Sequence, residues 1–166
     1  MTAAGERGIA KDRSFAIRRT FSAPAPEVFE LWTDPALVRQ WWGIKNCTIP
    51  TCTLDVRVGG EWRIDMRTAS GKLYKNHGVY RSVIADSYLE YTDIPDPTLA
   101  EWGGLAPGES VHAVTFDGDG NFTHVTFEVT LATAMDRERL LALGVREGWM
   151  QSFDRLVAVI EATTGV

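Results

Sequence analysis

Few side chains in this sequence could do chemistry, and they are scattered. His77, His112 and His124 all fall in segments that alternate like strands. Facing them toward one metal would need parities that the apolar pattern contradicts, since His124 is opposite in parity to Phe127. His77 precedes Gly78 in a strand whose two faces are both mixed, so it is the histidine expected to point inward. Cys47 and Cys52 lack the second pair that a structural zinc site wants and read as reduced thiols. In the run from Asp117 to Asn121, Asp117, Asp119 and Asn121 mimic the first ligands of a calcium loop whose twelfth position would be Glu128. Phe122 stands where that loop needs glycine, and both flanks alternate like strands, so a glycine-rich hairpin turn is the simpler reading. Glu90 and Glu128 sit on strands with surface placement expected. There is no GxSxG elbow, phosphate-binding glycine loop or HExxH helix. Local sequence therefore supports no metal, no cofactor and no catalytic group; any chemistry must be assembled from distant strands.

What the chain has in abundance is aromatic surface: six Trp, four Tyr and seven Phe in 166 residues. Rings in that number need a large core, a pocket or an interface. The elements that would position them can be read from periodicity. Ser14 to Phe21 alternates with Phe15, Ile17 and Phe21 on one parity and Arg19 as the misfit, which predicts a strand. Two short helices follow, over 26–33 and 35–41, the second capped by Asp34 before Pro35. Cys52 to Val58 and Trp62 to Arg67 predict a hairpin in which Val58 faces Trp62, Val56 faces Ile64 and Leu54 faces Met66 around a Gly59-Gly60-Glu61 loop. Asp55, Arg57, Arg63 and Asp65 then form a solvated outer face. Further strands are expected at 72–83, 88–92, 110–116 and 122–131. Between two of them, 93–110 is proline- and glycine-rich, carries Trp102, and has no periodicity; a loop that long in a compact domain reads as a lid or mobile segment. One helix from about 135 to 161 closes the chain, with Ala142, Val145, Trp149, Phe153, Leu156 and Ile160 on one stripe. Gly148 inside it suggests a close neighbour.

This order predicts one α+β domain over 1–166, in which an antiparallel sheet of six or seven strands curves around the C-terminal helix. Residues 1–12 are expected to be flexible. Lys and Arg total 17 against 22 Asp and Glu, a net charge of -5, which offers no general attraction to nucleic acid or anionic lipid. With no apolar leader or spanning segment in the sequence, the cytoplasm is the expected location.

Three stretches together add a resemblance. Residues 21–43 (FSAPAPEVFELWTDPALVRQWWG), 54–67 (LDVRVGGEWRIDMR) and 147–161 (EGWMQSFDRLVAVIE) are similar to the N-terminal signature, the double-glycine hairpin and the Gly-Trp closing helix of the START and Bet v 1-like superfamily, in its branch named after the activator of the heat-shock-chaperone ATPase. The resemblance implies a helix-grip fold, a curved sheet around a long helix with a cavity between them. It implies binding of an apolar or aromatic small molecule there. Trp62, Ile64, Met66, Phe127, Trp149 and Phe153 are the expected wall, Trp42, His77, Tyr80 and Tyr91 the expected mouth and polar contacts, and Trp102 a lid. Two alternatives stay open. One is a cyclase, dehydratase or hydrolase using His77 or a buried carboxylate. The other is an interaction protein with a chaperone partner. A homodimer is also compatible with the family.

Overall fold

The computed structural model describes residues 11–163. The expected flexibility of residues 1–12 falls almost entirely outside them. Seven strands form one antiparallel sheet in the order β1-β7-β6-β5-β4-β3-β2, with β1 at Ser14–Phe21, β2 at Thr48–Leu54, β3 at Glu61–Arg67, β4 at Leu73–Ile84, β5 at Tyr88–Asp93, β6 at Ser110–Asp119 and β7 at Phe122–Thr130. Helices α1 (Ala25–Thr33) and α2 (Pro35–Trp41) follow β1, while α3 (Ala134–Ala142) and α4 (Val145–Thr163) end the chain. This is the helix-grip architecture, with α4 in the concave face of the sheet.

The period-2 pattern does the work that the sequence assigned to it. Ile17, Phe21, Val114, Phe116, Val125, Phe127 and Val129 all point inward and are buried. Arg19, the misfit of β1, shares their parity and reaches Asp154 on α4 at 2.7 Å. At the centre of the core, Phe153 of α4 is 1% exposed and meets the rings of Phe21, Trp32, Trp41, Phe127 and Trp149, with centroids 5.6 to 6.4 Å away. Asp34 caps α2 as expected, accepting from the Ala36 N–H at 2.9 Å.

Polar bonds then fix α4 against the end of α2. Ser152 Oγ accepts from the Gly43 N–H at 3.1 Å and donates to the Gly43 carbonyl at 3.0 Å. The Arg155 guanidinium donates to the carbonyls of Trp42 and Gly43 at 2.8 and 3.2 Å. These bonds hold the indoles of Trp41 and Trp42 beside the closing helix.

Three expectations need correction. The first hairpin is shifted: Leu54 lies opposite Trp62 and Cys52 opposite Ile64, so β2 starts earlier and residues 55–60 are loop. The reason is that Gly59 and Gly60 pair with Tyr80 of β4, through Gly59 N–H to Tyr80 O at 2.8 Å and Tyr80 N–H to Gly60 O at 2.9 Å, instead of turning directly into a hairpin. Only glycine fits at position 60, where a Cβ would lie 1.9 Å from the Asp55 carbonyl oxygen. The charged outer face is also rearranged, since Asp65 is buried and pairs with Arg63 along its own strand at 2.9 Å. Finally, the closing helix is two helices, broken where Gly144 takes a left-handed φ of +86°.

Replacing Phe153 by Ala should lower the unfolding free energy by about 3–5 kcal/mol in urea denaturation, since it empties the point where five other rings meet. A loss under about 1 kcal/mol would show that α4 does not hold the core together.

Candidate functional site

A cavity of about 370 Å³ opens between the sheet and α3–α4, bordered on its outer side by the 94–109 connection. Trp42, Met66 and Trp149, all expected on its wall or mouth, line it. Trp149 is held edge-on to Trp42 with centroids 4.8 Å apart and packs on Phe127 at 4.5 Å. Gly148 lines the same wall. The close neighbour expected there is absent: a Cβ on Gly148 would meet Ile44 Cγ2 at 3.5 Å, an ordinary contact.

Most of the other residues expected at the wall or mouth are core. Trp62, Ile64, Tyr80 and Tyr91 surround a void of only about 10 Å³, too small for a ligand, and Phe127 and Phe153 are buried among rings. Trp62 donates from Nε1 to the Thr92 carbonyl at 2.8 Å, which ties β3 to β5 across β4 where Gly78 leaves room. His77 is a plain correction. It is exposed on the outer face, because β4 alternates from Tyr74 to Ser82 and Gly78 and Tyr80 take the inward parity. Its backbone bonds Ile94 at 2.8 Å, and the enzyme reading that used it as a base loses that base.

The polar end of the cavity is made by residues that the sequence did not place there. Asp93 ends β5 and Ser110 begins β6, directly opposite each other, and His112 follows on the same inward face. His112 Nε2 lies 3.2 Å from Ser110 Oγ and 3.5 Å from Asp93 Oδ2. Ser110 Oγ is itself 3.5 Å from the Asp93 carbonyl, to which it can only donate. With a hydroxyl lone pair and a carboxylate on that side, Nε2 carries the ring proton and Nδ1 is left as an acceptor. His112 Nδ1, Asp93 Oδ1 and the Tyr91 hydroxyl are buried and have no hydrogen-bond partner in the protein. Buried polar atoms of this kind are uncommon outside sites that a ligand or water completes.

Desolvation decides the charge states. Burial pushes the His112 imidazole down to about 3, so it is neutral at physiological pH. Burial pushes the Asp93 carboxyl up to about 7, so it exchanges its proton near neutrality. Burial likewise raises Tyr91 well above its ordinary value, which keeps its hydroxyl protonated. The pattern that marks these residues is simple parity. His112 shares its parity with the buried Val114 and Phe116, and Asp93 shares that of Leu89 and Tyr91.

At the mouth, the 94–109 connection is ordered around a 3-10 turn at Ala100–Trp102. The Trp102 indole donates to the Asp96 carbonyl at 2.8 Å, and Arg139 of α3 donates to the Leu105 and Trp102 carbonyls at 2.6 and 3.3 Å. Lys72 pairs with Glu101 on the same turn. Trp102 thus lines the cavity.

Among the described residues, no group of three or more His, Cys, Asp or Glu is placed to hold a metal ion, and no helix is long and apolar enough to cross a membrane.

A curved seven-stranded sheet gripping a helix over a part-apolar cavity defines the START and Bet v 1-like class. Within it, the chain belongs to the family described as Activator of Hsp90 ATPase homolog 1-like protein, whose model matches residues 22–161. Solved structures similar to this one include a protein from Nitrosomonas europaea, at 20% identity over 93% of this chain and 98% of that one, with a TM-score of 0.79. Another, from Rhodobacter sphaeroides, has 17% identity over 91% and 94% of the two chains and a TM-score of 0.80. A third, from Silicibacter pomeroyi, has 21% identity over 90% and 99% and a TM-score of 0.74. At these identities the likeness is one of fold. No curated protein matches.

The raised Asp93 value sets a sign for stability. Its folded-state pKa lies above the unfolded one, so its contribution is fully present below about 4 and is lost as pH rises through about 7. An Asp93→Asn variant suffers no such loss. Its stability relative to the parent should therefore increase from pH about 4 to about 7, by up to about 1.4 kcal/mol per pH unit in urea titrations. A flat or falling difference would show that Asp93 is not desolvated.

Proposed function

We propose that this protein binds an apolar or aromatic small molecule in the cavity between its sheet and α4. The observation that carries the reading is the cavity's construction: aromatic walls, a volume in the range of small-molecule sites, and a polar end whose buried atoms lack protein partners. An interaction protein working through its outer surface has no use for such an opening, which favours the binding reading over the chaperone-directed one that the family's description carries. The rim turn acts as the lid, with Trp102 covering the bound molecule and Arg139 anchoring the turn to α3.

Fluorescence titration with phenylnaphthylamine, an uncharged aromatic probe, tests this. Binding with a Kd on the order of micromolar and a blue-shifted emission is expected, corresponding to about 8 kcal/mol. Gly148→Leu should weaken binding by tenfold or more, about 1.4 kcal/mol, because the new side chain enters the cavity from its wall. The same change keeps or raises the melting temperature, since leucine is about 1 kcal/mol better than glycine inside a helix. Trp102→Ala should leave folding intact and speed probe dissociation in stopped-flow measurements. No binding, or binding indifferent to Gly148→Leu, would refute the reading.

A further inference from the structure

The cavity also specifies the kind of polar head its ligand carries, an inference that rests on the binding reading above. Two carboxylates, Asp93 and Asp96, line it, and among the described residues none of those lining it is Lys or Arg. Two of the nearby cations are already engaged, while the charge of Lys75 acts on Asp96 at the mouth. Arg139 is spent on the Leu105 and Trp102 carbonyls and on Asp136, and Lys72 on Glu101. Asp96 at the mouth accepts from both the Thr98 hydroxyl and the Thr98 N–H, at 2.6 and 2.9 Å, and these bonds hold its carboxyl below its ordinary value. At the inner end, the unpartnered atoms of the lining residues are acceptors, Asp93 Oδ1 and His112 Nδ1, while the Tyr91 hydroxyl belongs to the separate small void beside Trp32. His112 is only 3% exposed and its Nε2 lies 3.5 Å from Asp93 Oδ2, so the two side chains form one preorganised group.

We infer that the cavity takes an aromatic ligand whose head is a hydrogen-bond donor, a hydroxyl or an ammonium, and rejects carboxylates and phosphates. A donor head satisfies the unpartnered Asp93 oxygen and relieves the cost of leaving that buried acceptor unpaired. An anionic head would be desolvated beside Asp93 with no cation to meet it. The aromatic walls suit either donor, since an ammonium gains further from the indole faces of Trp42 and Trp149.

Isothermal titration of the full chain with four naphthalenes substituted at the same ring carbon separates head from ring: methylnaphthalene, naphthol, naphthylmethylammonium and naphthoate. At pH about 8, above the Asp93 value of about 7, the hydroxyl or the ammonium compound should bind at least about tenfold more tightly than methylnaphthalene, as expected of hydrogen bonds to a charged group, and naphthoate more weakly than methylnaphthalene. Asp93→Asn should narrow the gap between the ammonium and carboxylate compounds by about tenfold. The order on the unmodified protein decides the matter by itself, and the variant locates its origin. Naphthoate binding as tightly as the donor compounds would overturn the inference while leaving the cavity reading standing. Failure of all four to bind would remove both.

Discussion

The insertion of one helix face into the concave side of the sheet is the contact on which the rest of this structure depends. A seven-stranded antiparallel sheet exposes a broad apolar face, and here part of that face is covered by α4 through Phe153, Leu156 and Ile160, with Phe29 and Trp32 of α1 packed on Phe116 of β6. Removing that helix would expose the inward rows of β1, β6 and β7 together. The same insertion leaves room only toward the N-terminal end of α4, where Gly148 and Trp149 replace the bulkier packing around Phe153. The cavity is therefore a consequence of where the helix stops filling the sheet. Arg19 with Asp154 and Ser152 with Gly43 keep the helix from sliding along the groove and closing it.

Within that opening, burial controls the electrostatics more than charge pairing does. His112 and Asp93 approach each other at 3.5 Å, but desolvation favours the neutral form of each, the imidazole from one side of neutrality and the carboxyl from the other. A pair in this state can accept a hydrogen bond or hold a proton without carrying a fixed buried charge. The outer rim differs. Asp96 is anionic, and the loop that carries it is tied down by Trp102, Arg139 and the Lys72–Glu101 pair. A ligand thus meets a charged, hydrogen-bonded rim first, then aromatic walls, then a desolvated polar end.

Much of the fold was legible in the sequence because alternation on strands directly encodes burial. The strand positions other than β2, the two short helices and the inward stripe from Trp149 to Ile160 all follow from one-dimensional spacing. Register was not legible at 54–62, where parity permits every even shift and the pairing of Gly59 and Gly60 with Tyr80, a residue some twenty positions away, made the choice. The site was legible by half. Trp42, Met66, Trp149 and Trp102 could be placed, but the polar end could not, since its members meet only where the long connection begins and ends. Asp93 and Ser110 fall at the edges of a segment with no period, and His112 resembles any other strand residue until its parity is set against Val114 and Phe116. His77 failed for the converse reason. The mixed composition of β4 hid an alternation in which Gly78 holds the inward position.

The central claim is that the space between the sheet and α4 is the place where this protein holds a ligand. Intermolecular NOEs measured on the protein with phenylnaphthylamine bound would test it most directly. The account predicts contacts from the probe to the Met66 methyl and to the indoles of Trp42 and Trp149, with none to the exposed ring of His77 on the opposite face of the sheet. Contacts confined to that outer face, with Met66 and Trp149 silent, would contradict it.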